Sequence, residues 1–199
     1  MLARCKASIL LEKSDLGENT YKEHPDNFCS TLEGEKLSIC YVFIPSFMIS
    51  NYDYNFDELL DLCLDQKDQN VVRTCVRGIG TVATYPYSSA KRFQYIEEYT
   101  IDENAVITCY KLPGEYIEDC IKGVLDIFVL MYNDDLKRTY NFCGKIADEH
   151  KKTCFNYVGL MAGRYLLNED ELRELCVNKI QEYEETCILG GIKFINARQ

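Results

Sequence analysis

The sequence predicts an all-α fold: a right-handed solenoid of about five antiparallel helical hairpins, each closed by one disulfide. Three observations predict it. Cysteines recur in pairs at 29–40, 63–75, 109–120, 143–154 and 176–187, with separations of 11, 12, 11, 11 and 11 residues. The second members, with Cys5 placed ahead of them, step by 35, 35, 45, 34 and 33 residues. A period of that size suits a two-helix unit that stacks on its neighbours. Other residues keep the same phase. Glycine falls three residues after the second cysteine at Gly78, Gly123 and Gly190, and Asn55, Asp135 and Asn168 stand eight before the first. These last three are good helix-capping residues.

The chain reads as a single domain, 1–199, with units at approximately 21–50, 54–85, 101–132, 134–166 and 168–196 and an inserted segment at 85–100. Ahead of them "RCKASILLEKS" around Cys5 reads as a second-type helix. In the first unit, "CSTLEGEKLSIC" carries Gly34 at its centre, which breaks a helix there. The second unit opens on "NFDELLDLCLDQ", where Asn55 and Glu58 have capping-box spacing, and continues in the apolar "CVRGIGTVAT". The third has Pro113-Gly114 between its cysteines, then "CIKGVLDIFVLMY". The fourth and fifth lack such breakers, so "CGKIADEHKKTC" and "CVNKIQEYEETC" are assigned as hairpins by analogy. Asn168 and Glu171 again have capping-box spacing. A turn centred between each pair is expected to bring its cysteines opposite each other. His150 then falls in a solvated turn. A continuous helix would instead hold cysteines eleven residues apart at about 16 Å, beyond the reach of a disulfide.

Structural disulfides are the leading reading for Cys29, Cys40, Cys63, Cys75, Cys109, Cys120, Cys143, Cys154, Cys176 and Cys187. Each would close a loop of about a dozen residues, worth about 3 kcal/mol. A unit of this size buries too little apolar area to be stable alone. Two other readings stand beside it. Buried free thiols pack as small hydrophobes, but do not account for constant spacing. Metal binding wants ligands two to four residues apart, and His24 and His150 lie far apart and out of phase. No metal and no cofactor is expected. Cys5 matches the second-helix cysteines in phase and has no partner eleven residues upstream. It is expected to be a free thiol, or to pair outside these residues, as in an excised domain or a degenerate first unit.

Short helical hairpins of this length, each closed by one disulfide, resemble the secreted cysteine-rich Sel1-like repeat proteins of the wider tetratricopeptide-like superfamily. The resemblance runs over nearly the whole chain as a pattern. That family keeps a shorter gap than the C-x10-C found here, and has an alanine-rich signature that this chain lacks. Twin C-x9-C proteins, with two cysteines on each of two helices, are a second comparison. The resemblance implies architecture and an oxidising, extracytoplasmic compartment, secreted or periplasmic, and no functional residue.

The sequence contains no phosphate loop, no dinucleotide fingerprint, no zinc-protease helix and no nucleophile elbow. "RGIGTVA" is only Gly-x-Gly inside a helix, and the carboxylates of "NDD", "NEDE" and "YEE" sit at helix starts, where the dipole favours them. The formal charge of −10 argues against nucleic acid, and no run is apolar enough for membrane insertion. The start of the chain lacks the long apolar region of a signal peptide. The gap from Cys75 to Cys109 is longer than the other inter-pair gaps, and the extra residues include Tyr85, Tyr87, Lys91, Arg92, Phe93 and Tyr95. Insertions in repeat proteins map to one face, often the binding face. The competing reading is an added helix, capped by Ser88 or Ser89, that packs on its neighbours. The expected function is a non-enzymatic scaffold binding a protein or peptide. The alternative is an extracytoplasmic hydrolase acting on an envelope or extracellular polymer. The oligomeric state is not legible from the sequence.

Overall fold

The computed structural model describes residues 29, 32–49, 55–84, 101–131, 136–165, 168–177 and 181–196. Cys5, Asp135 and the six residues from Tyr85 to Tyr95 singled out for binding lie outside them. The described residues are mostly helical, with no strand among them. In chain order they form α1 (Glu35–Met48), α2 (Phe56–Leu64), α3 (Gln69–Ala83), α4 (Ile101–Tyr110) and α5 (Gly114–Met131). Then come α6 (Leu136–Cys143), α7 (Asp148–Tyr165), α8 (Glu169–Val177), a 3-10 turn (Gln181–Tyr183) and α9 (Glu184–Asn196).

Local chemistry explains where these helices start. Asn55 Oδ1 accepts from the Asp57 backbone N–H at 3.1 Å while its Nδ2 donates to Glu58 at 2.8 Å. Asn168 and Glu171 form a reciprocal capping box, each backbone N–H donating to the other side chain at 3.0 Å. Asp68 caps α3 through the Asn70 N–H at 2.8 Å. Gly34, which precedes α1, has φ of +58°, a left-handed conformation that a side chain would strain.

Disulfides join Cys29–Cys40, Cys63–Cys75, Cys109–Cys120, Cys143–Cys154 and Cys176–Cys187, with Cα separations between 5.4 and 5.8 Å. Each of the last four clasps two consecutive helices across a short connection. In the Cys63–Cys75, Cys109–Cys120 and Cys143–Cys154 pairs the turn is not centred between the cysteines, which corrects that expectation for them. Cys63, Cys109, Cys143 and Cys176 lie at or one residue from the end of their helix, whereas Cys75, Cys120 and Cys154 lie a turn and a half inside theirs. The polar connection begins as soon as the first helix has buried its cysteine, so the clasp is offset along the second helix. His150 consequently falls in the first turn of α7 rather than in the connection, and its side chain is only 13% exposed.

One core runs through the helix pairs. The residue four before the first cysteine is fully buried in each of the last four pairs: Leu59, Ala105, Thr139 and Leu172. Aromatic rings bridge neighbouring elements. Phe128 meets Phe142 edge-on at 5.5 Å between centroids, and Phe155 stacks on Tyr183 at 5.0 Å. Tyrosine hydroxyls tie one pair to the next. Tyr110 accepts from the Ala147 N–H at 2.8 Å, and Tyr140 donates to the Cys176 carbonyl at 3.3 Å.

The second helices α1, α3, α5, α7 and α9 pack on one another in chain order. Glycines set three of these four crossings. A Cβ on Gly78 would overlap the Val42 carbonyl, one on Gly123 the Arg77 carbonyl, and one on Gly190 the Asn156 carbonyl. In each case a glycine three residues after its cysteine meets the carbonyl two residues after the preceding cysteine. Gly80 and Gly159, five after theirs, would clash with the carbonyls of Cys120 and Cys187. Backbone thus lies on backbone in one repeated register. Glycine costs each helix about 1 kcal/mol of propensity, offset by the close packing it permits.

Candidate interaction surface

The crossing of α5 and α7 breaks the register, and a polar and aromatic strip forms there. Tyr157 occupies the position held by Gly78, Gly123 and Gly190, and Leu125 the position held by Gly80 and Gly159. Side chains now separate these two helices. The Tyr157 hydroxyl reaches across α5 and donates to Asp126 Oδ1 at 2.8 Å. The other oxygen of Asp126 accepts from Arg77 Nε of α3 at 2.6 Å. Arg77 also bonds the Tyr157 hydroxyl and lies over its ring, 5.4 Å from the centroid. Residues from three successive units therefore share one cluster.

One helical turn away, Arg73 repeats the theme. Its guanidinium pairs with Asp119 at 2.7 Å and sits 5.8 Å from the Tyr116 ring centroid. Lys122 approaches the other Asp119 oxygen at 3.4 Å. Tyr116 donates to Gln69 at 2.7 Å. Helical spacing explains the alignment. Arg73 and Arg77 are i and i+4 on α3, and Asp119, Lys122 and Asp126 are i, i+3 and i+7 on α5.

The electrostatics are those of a preorganised surface. Burial disfavours the Arg77 charge, but the hydrogen bond and charge of Asp126 outweigh it, so the guanidinium pKa lies above its ordinary value. Asp126 and Asp119 are each 15% exposed and hold two donors apiece, which fixes both arginines while Arg73 stays half open to solvent. Tyr116 is buried and the Tyr157 ring lies under Arg77, so the half-open Arg73 guanidinium is the group of the strip that offers donors to solvent.

A second cluster serves packing. His150 lies edge-on to Tyr110 at 5.8 Å, and its Nδ1 stands 3.8 Å from Glu118 Oε1, which accepts the Thr153 hydroxyl at 2.8 Å. That separation is too long for a hydrogen bond, and the hydroxyl is directed to the glutamate rather than to the imidazole. Asp102 of α4 is 9% exposed and paired with Arg138 at 3.1 Å and Lys145 at 2.6 Å. Among the described residues no group of acidic, histidine or cysteine side chains could hold a metal ion, and no helix is long and apolar enough to cross a membrane.

The structure thus brings ten of the cysteines together in pairs. The strip residues Arg73, Arg77, Asp126 and Tyr157 are not legible as a site from sequence. The available signal was an exception: glycine recurs three residues after the second cysteine, and Tyr157 interrupts it. No protein-family model, curated protein or solved structure matches the chain.

Proposed function

We propose that the chain is a right-handed, disulfide-stapled solenoid of helical hairpins, of Sel1-like or tetratricopeptide-like kind, that acts as a non-enzymatic scaffold for a protein or peptide partner. The observation that carries this reading is the repeated register of the second helices. A stack of like units presents one continuous face, and repeat proteins use such faces for binding. The Arg73–Tyr157 strip lies on the second helices of three successive units and combines the residue types that dominate binding energy at interfaces. The five disulfides point to an oxidising, extracytoplasmic setting. The segment bearing Tyr85, Tyr87, Lys91, Arg92, Phe93 and Tyr95 is proposed as a second contact element.

Affinity purification tests the reading. The oxidised full chain is compared with a form carrying Arg73→Glu and Tyr157→Ala together, the two matched in helical circular dichroism. A protein partner retained by the first and lost by the second supports it. Equal recovery on both counts against it. The alternative, a hydrolase of an envelope or extracellular polymer, would draw on His150, Glu118 and Thr153. It requires release of soluble fragments from a labelled polymer, lost in His150→Ala.

A further inference from the structure

The large apolar side chains most exposed among the described residues are Val177 at 48% and Leu189 at 51%, both in the last helix pair. Leu189 stands two residues after its cysteine, where inner units carry the polar Arg77, Lys122 and Asn156. It lies at the centre of the solvent face of α9, opposite the buried Cys187, Gly190 and Gly191. The residues four before and four after it are Glu185 and Lys193, both exposed. Neither makes an ion pair among the described residues. The half-buried Ile188 and Ile192 flank this row. Beside it opens a recess of about 270 Å³ lined by Arg173, Glu184, Glu185, Ile188 and Leu189.

A row reading acid, apolar, base at equal four-residue steps is its own complement when reversed. A uniformly basic or uniformly acidic partner helix would match only one end of it. We propose that a second copy of this chain docks on α9 about a two-fold axis at Leu189. The two α9 helices run antiparallel, and Glu185 of each copy faces Lys193 of the other. Such an interface is isologous, the common form of a closed homodimer. With leucine rather than glycine at the crossing, the axes stand about 8–10 Å apart, and the recess accommodates the leucine of the opposing copy. This inference is independent of the scaffold reading.

Sedimentation equilibrium of the oxidised full chain over a concentration series tests it. The wild type is expected to show monomer–dimer exchange. Glu185→Lys places two lysines opposite each other, and Lys193→Glu places two glutamates opposite each other. Each is expected to weaken dimerisation about tenfold or more, since like charges face across the interface. An equimolar mixture of the two variants restores both opposite-charge pairs and is expected to recover dimer, as is the double variant E185K/K193E. Both positions are exposed, and matched circular dichroism checks the fold. A wild type monomeric throughout overturns the proposal. So do single variants that dimerise like wild type, or a mixture that stays monomeric.

Discussion

The Tyr157 hydroxyl donates to Asp126 at 2.8 Å from a position at which three other units carry glycine. Three of the four crossings of second helices are held by backbone contact, and the remaining one by a side-chain cluster that extends back to Arg77. The distinction makes substitutions at equivalent positions behave differently.

Gly123→Ala is expected to destabilise the protein by about 2 kcal/mol or more, because the added methyl overlaps the Arg77 carbonyl and the helices must separate. Gly114→Ala, where a Cβ meets open space, should fall within about 0.5 kcal/mol of wild type. Urea denaturation of the oxidised proteins measures both. A neutral Gly123→Ala would contradict the close crossing.

Tyr157→Phe keeps the ring over Arg77 and removes the hydroxyl. The expected loss is about 1 kcal/mol. Asp126→Ala removes the acceptor of both Arg77 and Tyr157 and should cost about 1–2 kcal/mol, discounted because Arg77 is one-third exposed. A double-mutant cycle on these two positions should show coupling, measured by thermal or urea unfolding. Strict additivity would show that the cluster does not act as a unit.

The capping box is a local test. Asn168→Ala should cost about 1 kcal/mol and increase amide exchange in the first turn of α8 while leaving α3 unchanged. Uniformly increased exchange would show that the effect is global.

Removing one clasp by Cys63→Ala together with Cys75→Ala should cost about 3 kcal/mol. Reducing all five should lower the melting temperature far more, since the summed staples match or exceed the usual stability of a domain. An unchanged melting temperature after verified reduction would show that the helices hold without them.

Periodicity made the helices legible, and local chemistry made some of their ends so. Asn55, Asn168 and the Pro113-Gly114 break mark ends by chemistry that acts within a few residues. The glycines three residues after the second cysteines were legible as a phase, but not as contacts: Gly78, Gly123 and Gly190 meet the preceding second helix, and Gly80 and Gly159 the following one. The offset of the clasp was not legible, because spacing alone does not say where between two cysteines the chain turns. The Arg77–Asp126–Tyr157 cluster was hidden for a different reason. Its members are 31 to 80 residues apart in sequence, and only the packing of α3, α5 and α7 brings them together. His150 was misplaced because a charged neighbourhood resembles a connection, whereas Asp148 and Glu149 begin α7 and favour its N-terminus.

Each local helix pair holds its own disulfide, and peptide mapping of the unreduced protein reads the pairing. Five linked peptides are expected, joining Cys29 to Cys40, Cys63 to Cys75, Cys109 to Cys120, Cys143 to Cys154 and Cys176 to Cys187, with Cys5 in no bond to any of the ten. A linkage between different pairs, or free thiols at these ten positions in protein from an oxidising compartment, would contradict it.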